Sequence, residues 1–274
     1  MMMSSHTDYL RFTADEDGST LQLTKVGTPY DITLQVRMNG GGWQNYVIGE
    51  EIALENAGDY VEFYGNNAFF SIGESNCYKF LMGGKIAASG NMMSVMGFSS
   101  ICESSCYSYM FSGCTSLTAA PELPATTLAS NCYSYMFSGC TSLTAAPELP
   151  ATTLASYCYY FMFNGCTSLT AAPELPATTL AEGRCYGSMF KGCTSLTAVP
   201  ALPATTLVSG CYYDMFSGCT NLDALEVNFT EWLGDATHYW LSGVKSTGTF
   251  TCPSALPQTR GTSNIPTNWT IITK

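Results

Sequence analysis

Two patterns of apolar and polar residues divide this chain. From Leu10 to Phe70 they alternate: Leu21 and Leu23, then Ile32, Leu34 and Val36, then Val61 and Phe63 stand at period two with polar residues between them. Such alternation marks strands with one wet face. Turn-forming residues punctuate them at 15–18, 40–42 and 65–67. About six short strands in this length predict a small antiparallel β-sandwich-like domain over residues 1–75.

The second pattern is a repeat. The text CYSYMFSGCTSLTAAPELPATTLAS, from Cys106 to Ser130, returns at Cys132, Cys158, Cys185 and Cys211, spaced 26, 26, 27 and 26 residues apart. A period in this range predicts stacked coils. With the first Cys of each repeat as offset zero, apolar residues fall at offsets 0, 1, 4, 5 and 8, an arc of about 140° on a helix. In the first repeat these are Cys106, Tyr107, Met110, Phe111 and Cys114. Gly113 and its equivalents, Gly139, Gly165, Gly192 and Gly218, are the residue type that ends a helix. The spacing therefore predicts a two-turn helix opening each repeat. The SLTAAPELP segment predicts a short strand with Leu117 and Leu123 inward, limited in length by Pro121 and Pro124, and ATTLAS predicts an extended return.

Flanking segments read as caps. Cys77 to Ile101 opens with CYKF, without the Pro and Thr positions of the repeat, and predicts an N-terminal capping coil over 76–105. The repeats occupy 106–227. After Leu222 the pattern breaks, and residues 228–274 predict a C-terminal cap. There Thr230 caps a helix from Glu231 to about Leu241, 247–252 and 269–272 read as strands, and Trp232, Trp240 and Trp269 cover the last repeat.

The repeats resemble the BspA-type leucine-rich repeats of bacterial surface proteins. The strings from Met136 to Thr144 and from Pro147 to Leu154 carry the resemblance, and LRFTADEDGSTLQLTKVG, GKIAASGNMMS and WLSGVKSTGTFTCP in the flanks are similar to relatives in gut bacteria and their phages. The resemblance implies a mainly β fold with short helices, a right-handed leucine-rich-repeat solenoid, display at the cell surface or outside the cell, and a role in adhesion or recognition. It implies no defined ligand.

Composition narrows the function classes. Of 274 residues 46% are apolar and 11% charged, with 21 acids against 10 bases and a net charge of −11. Between Cys102 and Asn228 the only bases are Arg184 and Lys191, against eight acids, which argues against a nucleic-acid groove. No window is apolar enough for a membrane span, and MMMSSHTDYLRF is not a secretory signal. Thirteen cysteines suggest disulfides. The two in one repeat are eight residues apart, about 12 Å on a helix and too far for a bridge, so they read as buried free thiols. There is no CxxC pair for zinc. The column Glu122, Glu148 and Glu174 reads as exposed carboxylates splayed into water, with calcium as the sharper alternative. No metal or other cofactor is assigned.

Catalysis finds no constellation. His6 lies at the N-terminus and His238 in the expected cap helix, neither with a nucleophile and acid nearby in sequence. The chain reads as a non-enzymatic module. Comparing repeats with one another, offsets 0, 1, 4, 5, 7, 8 and 11 never change, while offsets 2, 3 and 6 and the residues just before offset zero vary. On a helix the varying offsets face away from the apolar arc. The candidate ligand-binding residues are thus Tyr109, Tyr135, Tyr157, Tyr160, Phe161, Arg184, Lys191 and Tyr213. Rings with few charges suit a glycan or a protein partner on a cell surface. Drift on a tolerant surface accounts for the same variation. The alternative function is a phage virion structural protein, a fibre or decoration protein that docks on other virion proteins through the N-terminal domain.

Overall fold

The computed structural model describes residues 8–99 and 101–274, so His6 lies outside the described residues. Six strands arise where the alternation is: β1 (Leu10–Ala14), β2 (Ser19–Val26), β3 (Leu34–Met38), β4 (Gln44–Tyr46), β5 (Glu51–Leu54) and β6 (Tyr60–Gly65). β7 (Cys77–Gly83) and β8 (Ile86–Ser89) follow, then β9 (Leu117–Ala119) in the first repeat. One sheet runs β4-β3-β6-β1-β8-β9 and a second runs β5-β2-β7. Their inner faces meet through Phe12, Phe63 and Phe80, whose rings lie 4.6 to 5.7 Å apart. Glu62 on β6, almost fully buried, is held by the guanidiniums of Arg11 and Arg37.

The N-terminal part does not stand apart. β8 pairs in parallel with β9, and β7 pairs along its whole length with β2, so the segment expected as a capping coil supplies strands to both sheets. It also templates the first repeat: Phe70 and Phe80 donate their N–H groups to the carbonyls of Cys106 and Met110. One continuous apolar cluster extends from Leu10 to Trp269.

The expected right-handed leucine-rich-repeat solenoid with short helices is not what the structure shows. Among the described residues the only helix is a 3-10 turn, Met92–Val95, and the strands form three separate sheets, none closed and none running the length of the repeats. Residues 106–113 and their equivalents are not helical. They form consecutive tight turns in which even offsets donate backward within the repeat and odd offsets donate to the next repeat. Ser108, Met110, Ser112 and Cys114 donate to the carbonyls three residues earlier, whereas Tyr107, Tyr109, Phe111 and Gly113 donate to those of Cys132, Ser134, Met136 and Ser138. Left-handed residues recur every four positions, at Ser105, Tyr109 and Gly113 in the first repeat and at Asn131, Tyr135 and Gly139 in the second. The apolar offsets are buried as the spacing requires, but the period is four rather than 3.6. Over nine residues the two coincide.

Two ring ladders fill the interior. Tyr107, Tyr133, Tyr159, Tyr186 and Tyr212 stack at 5.5 to 6.0 Å and end on Trp240. Phe80, Phe111, Phe137, Phe163, Phe190 and Phe216 stack at 5.3 to 5.7 Å. The thiols have a structural task as well as a volume. Cys114, Cys140, Cys166, Cys193 and Cys219 each donate Sγ–H to the carbonyl of a preceding Phe at 3.0 to 3.1 Å, and all thirteen cysteines are buried and unbridged.

The expected helix from Glu231 to Leu241 is also corrected. Residues 236–243 form a sixth set of turns: Tyr212, Asp214, Phe216 and Gly218 donate to the carbonyls of Ala236, His238, Trp240 and Ser242, and Tyr239 and Gly243 take the left-handed conformation. β10 (Ala224–Glu226), just before these turns, pairs in parallel with β11 (Thr249–Cys252) after them, and β11 with β12 (Thr270–Thr273). Trp240 and Trp269 are buried over this end, and Trp232 is half-buried.

Candidate functional site

The turn geometry decides where the varying residues go. Offset 3 is left-handed in every repeat, a conformation that costs a bulky side chain roughly 1–2 kcal/mol. Stacking offsets part of that cost. Tyr109, Tyr135 and Phe161 form a half-buried column with centroids 4.7 and 4.8 Å apart and planes within 10°. Tyr160 meets Tyr135 and Phe161 edge-on at 5.7 and 4.5 Å, and Tyr157, 37% exposed, meets Tyr160 edge-on at 5.2 Å. Five of the eight expected residues therefore form one cluster.

Arg184 joins it through Tyr160. Its guanidinium donates to the Tyr160 hydroxyl at 3.3 Å and lies 4.1 Å from the centre of the Tyr213 ring, so it bridges two rings. Lys191 is turned to Asp214, with Nζ 2.8 Å from its carboxylate, which places it apart from the aromatic cluster. His238 stacks on Tyr213 at 5.5 Å and has no nucleophile against it among its described contacts.

Beside the column lies an open groove of about 430 Å³ whose walls combine Tyr109, Tyr135, Tyr157 and Tyr160 with Ser105, Asn131 and Ser134, and whose lining includes Ile72, Gly73 and Glu74 from the N-terminal region. Burial, with a smaller contribution from neighbouring acidic groups, holds the Tyr109 hydroxyl well above its ordinary value, and burial also raises that of Tyr135. Both hydroxyls are thus neutral donors across the physiological range. The groove offers rings, hydroxyls, one amide and one carboxylate. It can hold a polar ligand with apolar faces.

Sequence reasoning missed Glu74, Ser105, Asn131 and Ser134. A signal existed for three of them: Ser105 and Asn131 occupy the varying position before offset zero, and Ser134 occupies the varying offset 2. Glu74 lies in a loop with no pattern. The helical reading also placed offset 2 in solvent, whereas Ser108, Ser134 and Gly187 are buried because the turns tuck that position between neighbouring repeats. Ser188, at offset 3, is buried too, so the aromatic column ends at Phe161.

A second hollow, about 440 Å³, is lined by Pro121, Pro124, Pro147 and Pro150 with Glu122 and Glu148 at its edge. Both carboxylates are exposed, as is Glu174, and among the described residues no group of His, Cys, Asp or Glu is placed to hold a metal ion. Among the described residues no helix is long and apolar enough to cross a membrane. Comparison with protein-family profiles, with curated proteins and with solved structures finds nothing that matches this chain.

Proposed function

We propose that this chain is a non-enzymatic recognition module that binds a glycan in the groove beside Tyr109, Tyr135, Tyr157 and Tyr160. The observation that carries the reading is the pairing, on one open surface, of aromatic edges with a row of short hydroxyl and amide side chains. A sugar ring presents the complement, C–H faces on one side and hydroxyls around its rim. Aromatic groups supply contact area at low entropic cost and the polar groups fix orientation. Because equivalent positions recur in successive repeats, several sugar units can be held by modest contacts in register.

The test is binding of the labelled chain to a glycan array, with Tyr157→Ser and Tyr160→Ala beside it. Tyr157 is the most exposed of the four groove rings and lies outside the stacked column, so its loss leaves the stack intact. The expected result is saturable binding to a subset of glycans, weakened about tenfold or more in each variant, equivalent to about 1.4 kcal/mol. Binding that both folded variants retain in full, or no glycan binding at all, overturns the reading.

A further inference from the structure

One position breaks the internal pattern where the repeats begin. Four residues before the first cysteine of the later repeats stand Leu128, Leu154, Ala181 and Leu207. Before Cys106 stands Cys102, as deeply buried as Leu128. The slot that elsewhere takes an apolar side chain here takes a thiol, and the exchange sets Cys102 Sγ 2.6 Å from Cys106 Sγ.

The surroundings of this pair differ from those of the other thiols. The five cysteines at offset 8 aim their protons at backbone carbonyls and are capped by them. Cys102 and Cys106 instead aim at each other, and either sulfur can be the donor of that contact. Burial by itself pushes the Cys102 thiol up, but hydrogen bonding, first from the adjacent Cys106 thiol, outweighs it and brings the group below its ordinary value, favouring the thiolate. The neighbouring chain is open to solvent, with Ile101 62% exposed and Glu103 and Ser104 exposed beyond the sulfur.

We propose that Cys102 and Cys106 are a redox dithiol, closed to an intramolecular disulfide by a small disulfide oxidant. The Cys102 thiolate attacks one sulfur of the oxidant RSSR, breaking its S–S bond and forming a mixed disulfide while RS⁻ departs with the proton that Cys102 gave up. Cys106 then loses its proton and attacks the Cys102 sulfur, expelling the second RS⁻, which takes that proton. Two electrons and two protons leave the protein and the oxidant departs as two RSH.

The bridge closes at the join between the N-terminal sheets and the repeats. The Cys106 carbonyl accepts from Phe70, and the Ser105 N–H donates to the carbonyl of Ser130 at the end of the first repeat. A covalent link across residues 102–106 therefore clamps the segment through which both parts are joined.

The experiment incubates the folded full chain with mixtures of oxidised and reduced glutathione, quenches with acid, labels free thiols with iodoacetamide and digests with chymotrypsin. Cleavage after Phe98 and Tyr107 releases SSICESSCY, which contains Cys102 and Cys106 and no other cysteine. The expected peptide is unlabelled and two hydrogens lighter, in samples whose other cysteines are labelled, and oxidation raises the urea midpoint. Cys102→Leu installs the residue that Leu128 and Leu154 represent, so it preserves the packing. In it Cys106 should remain labelled and the midpoint should no longer respond to oxidant. Two labels on the peptide after other cysteines have oxidised, a link from Cys102 to Cys132, or an oxidant response that survives Cys102→Leu each overturn the proposal.

Discussion

The N-terminal sheets and the repeat turns satisfy their backbones by related but unequal means. In β1 and β6, residues pair antiparallel from Leu10 with Phe63 to Thr13 with Tyr60, and along β1 buried and half-buried side chains alternate at period two. In the turns only every second N–H reaches the next repeat, the others closing locally, and apolar residues come in adjacent pairs at period four. The strand exposes its pattern directly. The turn conceals its own beneath a helical look, because offsets 0, 1, 4, 5 and 8 suit both. The comparison shows that burial can be read from spacing while the hydrogen-bond partner cannot.

The largest test of this contrast asks whether the two regions are one folding unit. Their shared apolar cluster predicts a single urea transition, which Phe137→Ala in the turn ladder and Phe63→Ala in the sheets should each shift by about 3–5 kcal/mol. Two transitions, with each variant moving only its own, would separate the regions.

A smaller effect belongs to the sheets alone. Burial pushes the Glu62 carboxyl up, but the bonds from Arg37 and Arg11 outweigh it and leave the group below its ordinary value. A carboxyl lowered on folding contributes stability above its unfolded pKa, about 4.3, and that contribution is lost as pH falls through the folded value. Glu62→Gln should therefore cost about 2 kcal/mol at neutral pH, discounted for the partly exposed arginines, and its deficit should shrink in acid. Urea titrations at neutral and acid pH measure both. A deficit that grows on acidification contradicts the assignment.

The smallest effect belongs to the turns. Gly139 has φ +77°, and a Cβ there would stand 3.7 Å from the Gly113 Cα, an ordinary contact. Gly139→Ala should accordingly lose only the left-handed backbone penalty, about 1 kcal/mol. A loss several times larger in thermal unfolding would show that the glycine column is packed tighter than that spacing implies.

The candidate surface was partly legible for the same reason as the fold. Tyr109, Tyr135 and Phe161 stand out because one varying offset repeats them, and the stack does set them side by side. Glu74 and Lys79 reach the column from the N-terminal region, Lys79 over the Tyr109 ring at 5.2 Å, and no local pattern announces either. Ser242 and Gly243, matching the Ser-Gly of earlier repeats, were the available sign that 236–243 continues the turns. Reading Thr230 as a helix cap set a helix there instead.

What the sequence by itself determined is therefore the inventory of buried side chains: the invariant Cys, Tyr, Met, Phe and Leu of every repeat, and the period-two strands before them. An apolar side chain must leave water whatever conformation carries it. What only the tertiary structure decided is the partner of each backbone amide. A local helix and a turn ladder both satisfy those groups, and the ladder exists only because an adjoining repeat supplies carbonyls to half of them.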